Sequence, residues 1–143
     1  MSLHLVCFHC GTENRVPEAR IGEAPICGRC RERLFADVPA DLDGARMQRC
    51  IATDSVPLLV DCWAAWCGPC RAMAPQFKAA QQLLAPKARL AKLDTEANAE
   101  LSAKWHIQSI PTMILFAGGR EKARTSGAMD AKSIARWAEQ AVG

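Results

Sequence analysis

The sequence predicts an α/β protein, a mixed central sheet covered by helices on both sides, preceded by a small cysteine-rich module. Three observations carry this. Half of the 143 residues are hydrophobic and 23% are charged, the balance of a globular chain, at a length that suits one ordinary domain plus an appendage. Four of the eight cysteines fall in the first 30 residues as two close pairs. From residue 45 onward the apolar pattern alternates between helical periodicity and the continuous runs of buried strands.

Residues 1–36 form the first unit. Cys7-x2-Cys10 is followed, after sixteen intervening residues, by Cys27-x2-Cys30, which falls within the C-x2-C-x15–20-C-x2-C zinc pattern. Two residues between cysteines make a tight knuckle that aims both sulfurs at one point, and two knuckles complete a tetrahedron. Gly28 lies in the second knuckle and Gly11 directly follows the first, giving the backbone freedom such turns use. So short a segment cannot bury a sufficient core, so a metal staple is expected. With four thiolates the ion has no open position, so one structural Zn2+ on Cys7, Cys10, Cys27 and Cys30 is the reading. Two disulfides or four free thiols are the alternatives. His4 and His9 lack a knuckle partner and are read as solvated.

Residues 37–44, a polar stretch with Pro39 and Gly44, read as a linker, and residues 45–143 as the second domain. Residues 45–52 suit a short helix with Met47 and Ile51 on one face. Residues 57–64 are an apolar run interrupted by one acid, the mark of a strand buried on both faces. Residues 68–84 carry Met73, Phe77, Ala80 and Leu84 at helical spacing, with Pro75 inside as an expected kink. Residues 88–94 read as a second strand, and 98–106 as a helix with Leu101 and Trp105 on one face. Gly118-Gly119 joins strands at 111–117 and 121–126. Asp130 is the expected N-cap of a last helix whose Ile134, Trp137, Ala138 and Ala141 share a stripe.

Composition excludes several classes. Eighteen basic against fifteen acidic side chains leave a formal charge of +3, too little to demand nucleic acid or an anionic membrane. In residues 1–36 five arginines face four glutamates, and a four-thiolate zinc adds negative charge, so no basic stripe for nucleic acid exists. The apolar stretches at 56–60 and 113–117 fall far short of the roughly 20 residues of a membrane span. The N-terminus passes from Met1–Val6 straight into Cys7, His9 and Cys10 without an export signal, so a reducing cytoplasm is expected.

The remaining pair, Cys67 and Cys70 in Trp66-Cys67-Gly68-Pro69-Cys70, sits at the junction of a buried strand and a helix. That is a redox arrangement, and no further cysteine pair remains to complete a second metal site. The helix N-terminus favours negative charge on the first sulfur, so Cys67 is expected exposed and thiolate-prone and Cys70 shielded. Pro69 suits the first helical turn. Asp61 lies six residues before Cys67, and strand alternation directs its carboxylate into the core beneath this turn; a proton-transfer role is assigned to it.

The segment from Val60 to Cys70 (VDCWAAWCGPC) resembles the active-site segment of the thioredoxin family. The match continues in Ile110-Pro111-Thr112, similar to the family's cis-proline loop, in the Gly118-Gly119 hairpin and in Gly127. With the four-cysteine module, the whole chain resembles the zinc-binding bacterial thioredoxins of the thioredoxin 2 type. Cys62 departs from the family, which more often has Phe there.

The resemblance implies a thioredoxin fold over residues 45–143 and a protein-disulfide reductase. Cys67 would attack a client disulfide, and Cys70 would resolve the mixed disulfide. It also implies an NADPH-dependent thioredoxin reductase as the source of electrons, client binding around Trp66, Gly68, Pro69, Ile110 and Pro111, and a pairing of Lys92 with Asp61. Lys92 is read as tuning the acid within the catalytic set, and the alternative is a buried ion pair that only fixes register. A cytoplasmic monomer without an organic cofactor is expected. Two rivals stand beside this reading: a disulfide oxidant or isomerase, disfavoured by Gly-Pro between the cysteines, and a zinc-dependent binding module in which redox is secondary. Trp63 is read as support beneath the site, Trp105 and Trp137 as packing residues, and Cys62 as a small buried hydrophobe. Cys50 is read as buried or regulatory, and His106 as a cap or surface group.

Overall fold

Two antiparallel strands, β1 (Ser2–Val6) and β2 (Glu13–Pro17), pair with Leu3 opposite Val16 and Leu5 opposite Asn14. The computed structural model describes residues 1–142. Leu5, Val16 and Leu34 are buried against Cys7 and Cys27, a small apolar cluster centred on the cysteines themselves.

The second part is a five-stranded sheet in the order β3-β5-β4-β6-β7. Its elements in chain order are β3 (Ala40–Asp41), α1 (Gly44–Thr53), β4 (Leu58–Trp63), α2 (Gly68–Leu84), β5 (Arg89–Asp94), α3 (Ala99–Lys104), β6 (Thr112–Ala117), β7 (Arg120–Ser126) and α4 (Ala131–Val142). Strand β5 runs parallel to both β3 and β4, whereas β6 and β7 are antiparallel to their neighbours. The sheet is mixed and carries two cores. On one face Val60, Cys62, Leu93 and Ile114 meet Met47 and Cys50 of α1 and Leu101 of α3. On the other, Leu59, Leu90 and Met113 meet Phe77 of α2 and Ile134 of α4.

Local chemistry sets the ends of the elements. The carboxylate of Asp43 accepts the amide of Arg46 and caps α1, and Asp130 does the same for Ser133 in α4. Gly118 and Gly119, at φ +62° and +82°, make the β6–β7 turn in a conformation that disfavours side chains.

Two parts of the architecture differ from the sequence reading. Within the stretch read as a linker, Ala40 and Asp41 form an edge strand opposite Ala91 and Lys92, and Gly44 already opens α1. Two residues are too few to show a period, and their pairing is with residues 51 positions away in the chain. The hairpin of β1 and β2 adds a pair of strands to the cysteine module that the cysteine spacing alone does not specify.

The cysteine module is clipped to the sheet by arginines. Arg89, at the start of β5, donates to the carbonyls of Leu34 and Val6 and to the carboxylate of Asp54, which in turn accepts the Val6 amide. Its guanidinium lies 3.8 Å from the centre of the Phe8 ring. From α1, Arg46 donates to the Phe8 carbonyl at 2.7 Å and Arg49 to that of Gly11.

Candidate active site and metal centre

Strand β4 ends at Trp63, a short turn follows, and α2 begins at Gly68 with Cys67 as its N-cap. Cys67 and Cys70 are joined as a disulfide with their Cα atoms 5.2 Å apart. The Cys70 amide points at the Cys67 sulfur at 3.2 Å, so the free N–H of the first helical turn is directed at this atom. Negative charge on Cys67 is favoured there. The expected difference in exposure is absent, since in this oxidised form both residues are 3% exposed. Cys67 Sγ is covered from the side of β6, where the Ile110 carbonyl lies 3.8 Å away.

Trp66 is 68% exposed and flanks the disulfide. With Cys67, Pro69, Ile107 and Ile110 it lines a groove of about 490 Å³. The Ile110–Pro111 peptide is cis. The Trp66 indole N–H donates to Glu96 at 2.6 Å, which fixes the ring against the β5–α3 turn. Glu96 was missed in the sequence; nothing in an isolated acid 30 positions away marks it as a partner.

Asp61 is wholly buried on the face covered by α2. Desolvation pushes its carboxyl up to about 7, with Lys92 partly opposing and the charge of Asp41 adding to the rise. Neither carboxylate oxygen has a protein hydrogen-bond partner. Lys92 is the register partner of Asp61 on β5, yet its ammonium lies over the Trp63 ring, 4.7 Å from the centre. Trp63, read as support beneath the site, also donates its indole N–H to Asp41 at 2.8 Å. Sequence reasoning missed Asp41 because it lay in the supposed linker.

The four N-terminal sulfurs, on Cys7, Cys10, Cys27 and Cys30, lie within 4.8 Å of one another. The pairs Cys7–Cys30 and Cys10–Cys27 stand 3.5 and 3.7 Å apart. A tetrahedron with metal–sulfur bonds of about 2.3 Å has edges of about 3.8 Å, so the cluster fits a four-thiolate metal centre. Amides of Cys10 and Arg29 point at the sulfurs of Cys7 and Cys27 at 3.4 Å, and Asn14 braces the second knuckle by accepting the Gly28 amide. Neither histidine joins the set: His4 pairs with Glu13 at 2.8 Å and His9 is exposed.

The other cysteines are inert by environment. Cys50 and Cys62 are fully buried, and burial pushes both thiols up to about 12, which keeps them neutral. Trp105 packs on Phe116 with ring centres 5.1 Å apart, Trp137 lies against the α2/α4 core, and His106, at φ +56°, closes α3. Among the described residues, no helix is long and apolar enough to cross a membrane.

Comparison with known proteins agrees with this geometry. Residues 38–140 match the family profile described as Thioredoxin, and residues 6–32 match that described as Thioredoxin 2, N-terminal. The chain is 42% identical over 137 residues to thioredoxin C-3 of Corynebacterium nephridii, covering 95% of this chain and 93% of that protein. It is 36% identical over 101 residues to the bifunctional thioredoxin reductase/thioredoxin of Mycobacterium leprae, covering 71% of this chain but 22% of that longer protein. The crystal structure of chloroplastic thioredoxin z superposes with a TM-score of 0.66 at 28% identity, covering 73% of this chain and 94% of that one.

Proposed function

The chain belongs to the thioredoxin family of thiol–disulfide oxidoreductases, and from that premise we propose that it is a cytoplasmic protein-disulfide reductase working through Cys67-Gly68-Pro69-Cys70. The observation that carries this reading is the Cys67–Cys70 disulfide at the start of α2, beside an open groove.

The chemistry follows from the placement of the two sulfurs. In the reduced protein, Cys67 thiolate attacks one sulfur of a client disulfide; a mixed disulfide forms and the client's other sulfur leaves as thiolate. Cys70 then loses its proton to Asp61, directly or through one water, and attacks Cys67 Sγ. The mixed disulfide breaks, the second client sulfur leaves, and two electrons have passed from the dithiol to the client. Trp66 and Ile110 form the walls against which an extended client segment lies, with backbone near Ile110 available for strand-like pairing.

An NADPH-dependent thioredoxin reductase would return the Cys67–Cys70 disulfide to the dithiol; the fusion of both activities in the M. leprae relative supports this. Zinc is the ion we assign to Cys7, Cys10, Cys27 and Cys30, because four thiolates at tetrahedral spacing suit it and leave no open position for catalysis. A cytoplasmic location is supported by the same four thiols, which an oxidising compartment would pair. We assign a monomer that acts on client proteins, with no nucleic acid or membrane as partner.

The test is turnover of insulin disulfides with NADPH and thioredoxin reductase. Sustained NADPH oxidation that requires both Cys67 and Cys70 is expected. Failure of the reduced protein to cleave insulin even in a single turnover would overturn the reading.

A further inference from the structure

Strands β3, β5 and β4 bring Asp41, Lys92 and Asp61 to one level of the sheet: Asp41 is opposite Lys92, and Lys92 is opposite Asp61. Residues level with one another on adjacent strands point to the same face, here the face covered by α2. A row of carboxylate, ammonium and carboxylate therefore runs inward from the edge of the sheet. Asp41 is exposed, Lys92 half-buried and Asp61 wholly buried.

The centre of this row is not a simple ion pair. Trp63 follows Asp61 by two positions and shares its face. Asp41 accepts the Trp63 indole N–H at 2.8 Å, and the Lys92 ammonium sits 4.7 Å from the centre of the same ring. The indole is thus tethered at its nitrogen and occupied on its face. Asp61, meanwhile, has neither the ammonium nor any other protein group within hydrogen-bond reach.

From this juxtaposition we propose that Asp41 is a positioning residue for proton transfer at the active site: by tethering Trp63 and holding Lys92 toward the sheet edge, it keeps the buried Asp61 carboxylate apart from its counter-charge. The proposal rests on the reading of Asp61 as acceptor of the Cys70 proton. In that step the Cys70 S–H bond breaks, the proton passes to Asp61, and the thiolate displaces the client sulfur from Cys67. An acid locked to an ammonium would be a poor acceptor.

The surrounding charges leave Asp41 in control of this row. On the same face of β5, Asp94 is engaged by the amides of Glu96 and Ala97. Opposite Asp61 on β6 stands Met113, which is apolar. The buried residues of α2 and α4 include no charged side chain; only Cys67 and Cys70 add titrating groups from the helix side. Asp41 acts on Asp61 in two ways of the same sign. Its own charge raises the acid's proton affinity, and its tether withholds Lys92. Removing it lowers that affinity on both counts.

Asp41→Asn keeps an oxygen for the indole but loses the charge, Asp41→Ala loses both, and Asp41→Glu restores the charge. The Asp61 carboxyl carbon is titrated by NMR in each oxidised protein, with Asp61→Asn to assign the signal. Decay of the mixed disulfide with a single-disulfide peptide is followed over the same pH range. Asp41 and Asp61 are two strand spacings, about 9.6 Å, apart. At that separation Asp41→Asn should move the Asp61 midpoint to acid by about half a pH unit. Asp41→Ala should move it further and Asp41→Glu should bring it back, with the pH profile of mixed-disulfide decay following. A midpoint that stays within error of the parent in Asp41→Asn and Asp41→Ala would overturn the proposal, even if those variants were less stable. A parent protein that forms no mixed disulfide would refute the reductase reading instead, and the NMR midpoints would still decide whether Asp41 governs Asp61.

Discussion

Arg89 Nη1 and Asp54 Oδ2 meet at 2.5 Å with side chains only 1% and 2% exposed, between the cysteine module and the sheet. Every arm of this contact is used: Arg89 also holds the Val6 and Leu34 carbonyls, and Asp54 the Val6 amide. Burial raises the Asp54 carboxyl while the guanidinium opposes the rise. Removing one partner strands the other as an unpaired buried charge, which typically costs about 3–5 kcal/mol.

Arg89→Met should therefore lower unfolding stability in urea by about 3–5 kcal/mol. The double variant Arg89→Met/Asp54→Leu should lose less than the two single changes added together. Additive losses in this cycle would show that the two residues act separately.

Cys67→Ser should abolish disulfide reduction, whereas Cys70→Ser should accumulate mixed disulfides that survive non-reducing electrophoresis. The difference follows from the Cys70 amide directed at Cys67 Sγ, which favours the thiolate on the first cysteine. Alkylation of the reduced protein checks the assignment. Cys67 should react first, and faster reaction at Cys70 would reverse the roles.

Asp61→Asn should stabilise the fold in a pH-dependent way. The folded acid is raised from an ordinary 3.8 to about 7, so the native state holds a proton that the unfolded chain has released. Stability consequently falls as pH rises through that window. The gain from Asp61→Asn should be small near pH 4 and reach roughly 4 kcal/mol above pH 7 as an upper figure. The same variant should slow the resolving step near neutral pH more than the first attack. Urea curves at pH 4 and pH 8 test the first claim, and rapid mixing the second; a gain equal at both pH values would remove the linkage.

The purified reduced protein should contain one zinc per chain, unchanged in Cys67→Ser/Cys70→Ser and lost in Cys7→Ser/Cys27→Ser. Chelation should loosen residues 1–36, whose small core includes the metal-binding sulfurs themselves. Elemental analysis and hydrogen exchange measure both effects. A metal-free protein with full protection in this segment would contradict the assignment.

The cysteine chemistry was legible in the sequence because it is spelled locally: two knuckles, and one redox pair opening a helix. Strand β4 and helix α2 were legible for a similar reason, since a buried run such as Leu58–Trp63 and the period of Met73, Phe77 and Ala80 need no knowledge of distant partners. What stayed hidden depends on register. Asp41 gains its meaning only when a two-residue strand aligns it with Lys92, and Glu96 only when the β5–α3 turn brings it to Trp66. Arg89 falls inside the stretch read as the second strand, where nothing marks it out; its role appears once a module from another part of the chain closes over it. The expected exposure of Cys67 failed because the loop carrying Ile110 comes from 43 positions downstream.

The two margins of the sheet differ from the rim of the active site in what they offer a passing chain. At one margin β3 is two residues long; at the other, β7 sets Arg120, Glu121 and Lys122 in the solvent. Short and charged margins repel a stray strand looking for a hydrogen-bonding template. Proteins with exchangeable disulfides are often partly opened, with loose strands of their own. Such a chain meets little to adhere to along the flanks, while the uncharged backbone by Ile110 lies within reach of the sulfur. The margins thus favour contact at the rim, where exchange occurs.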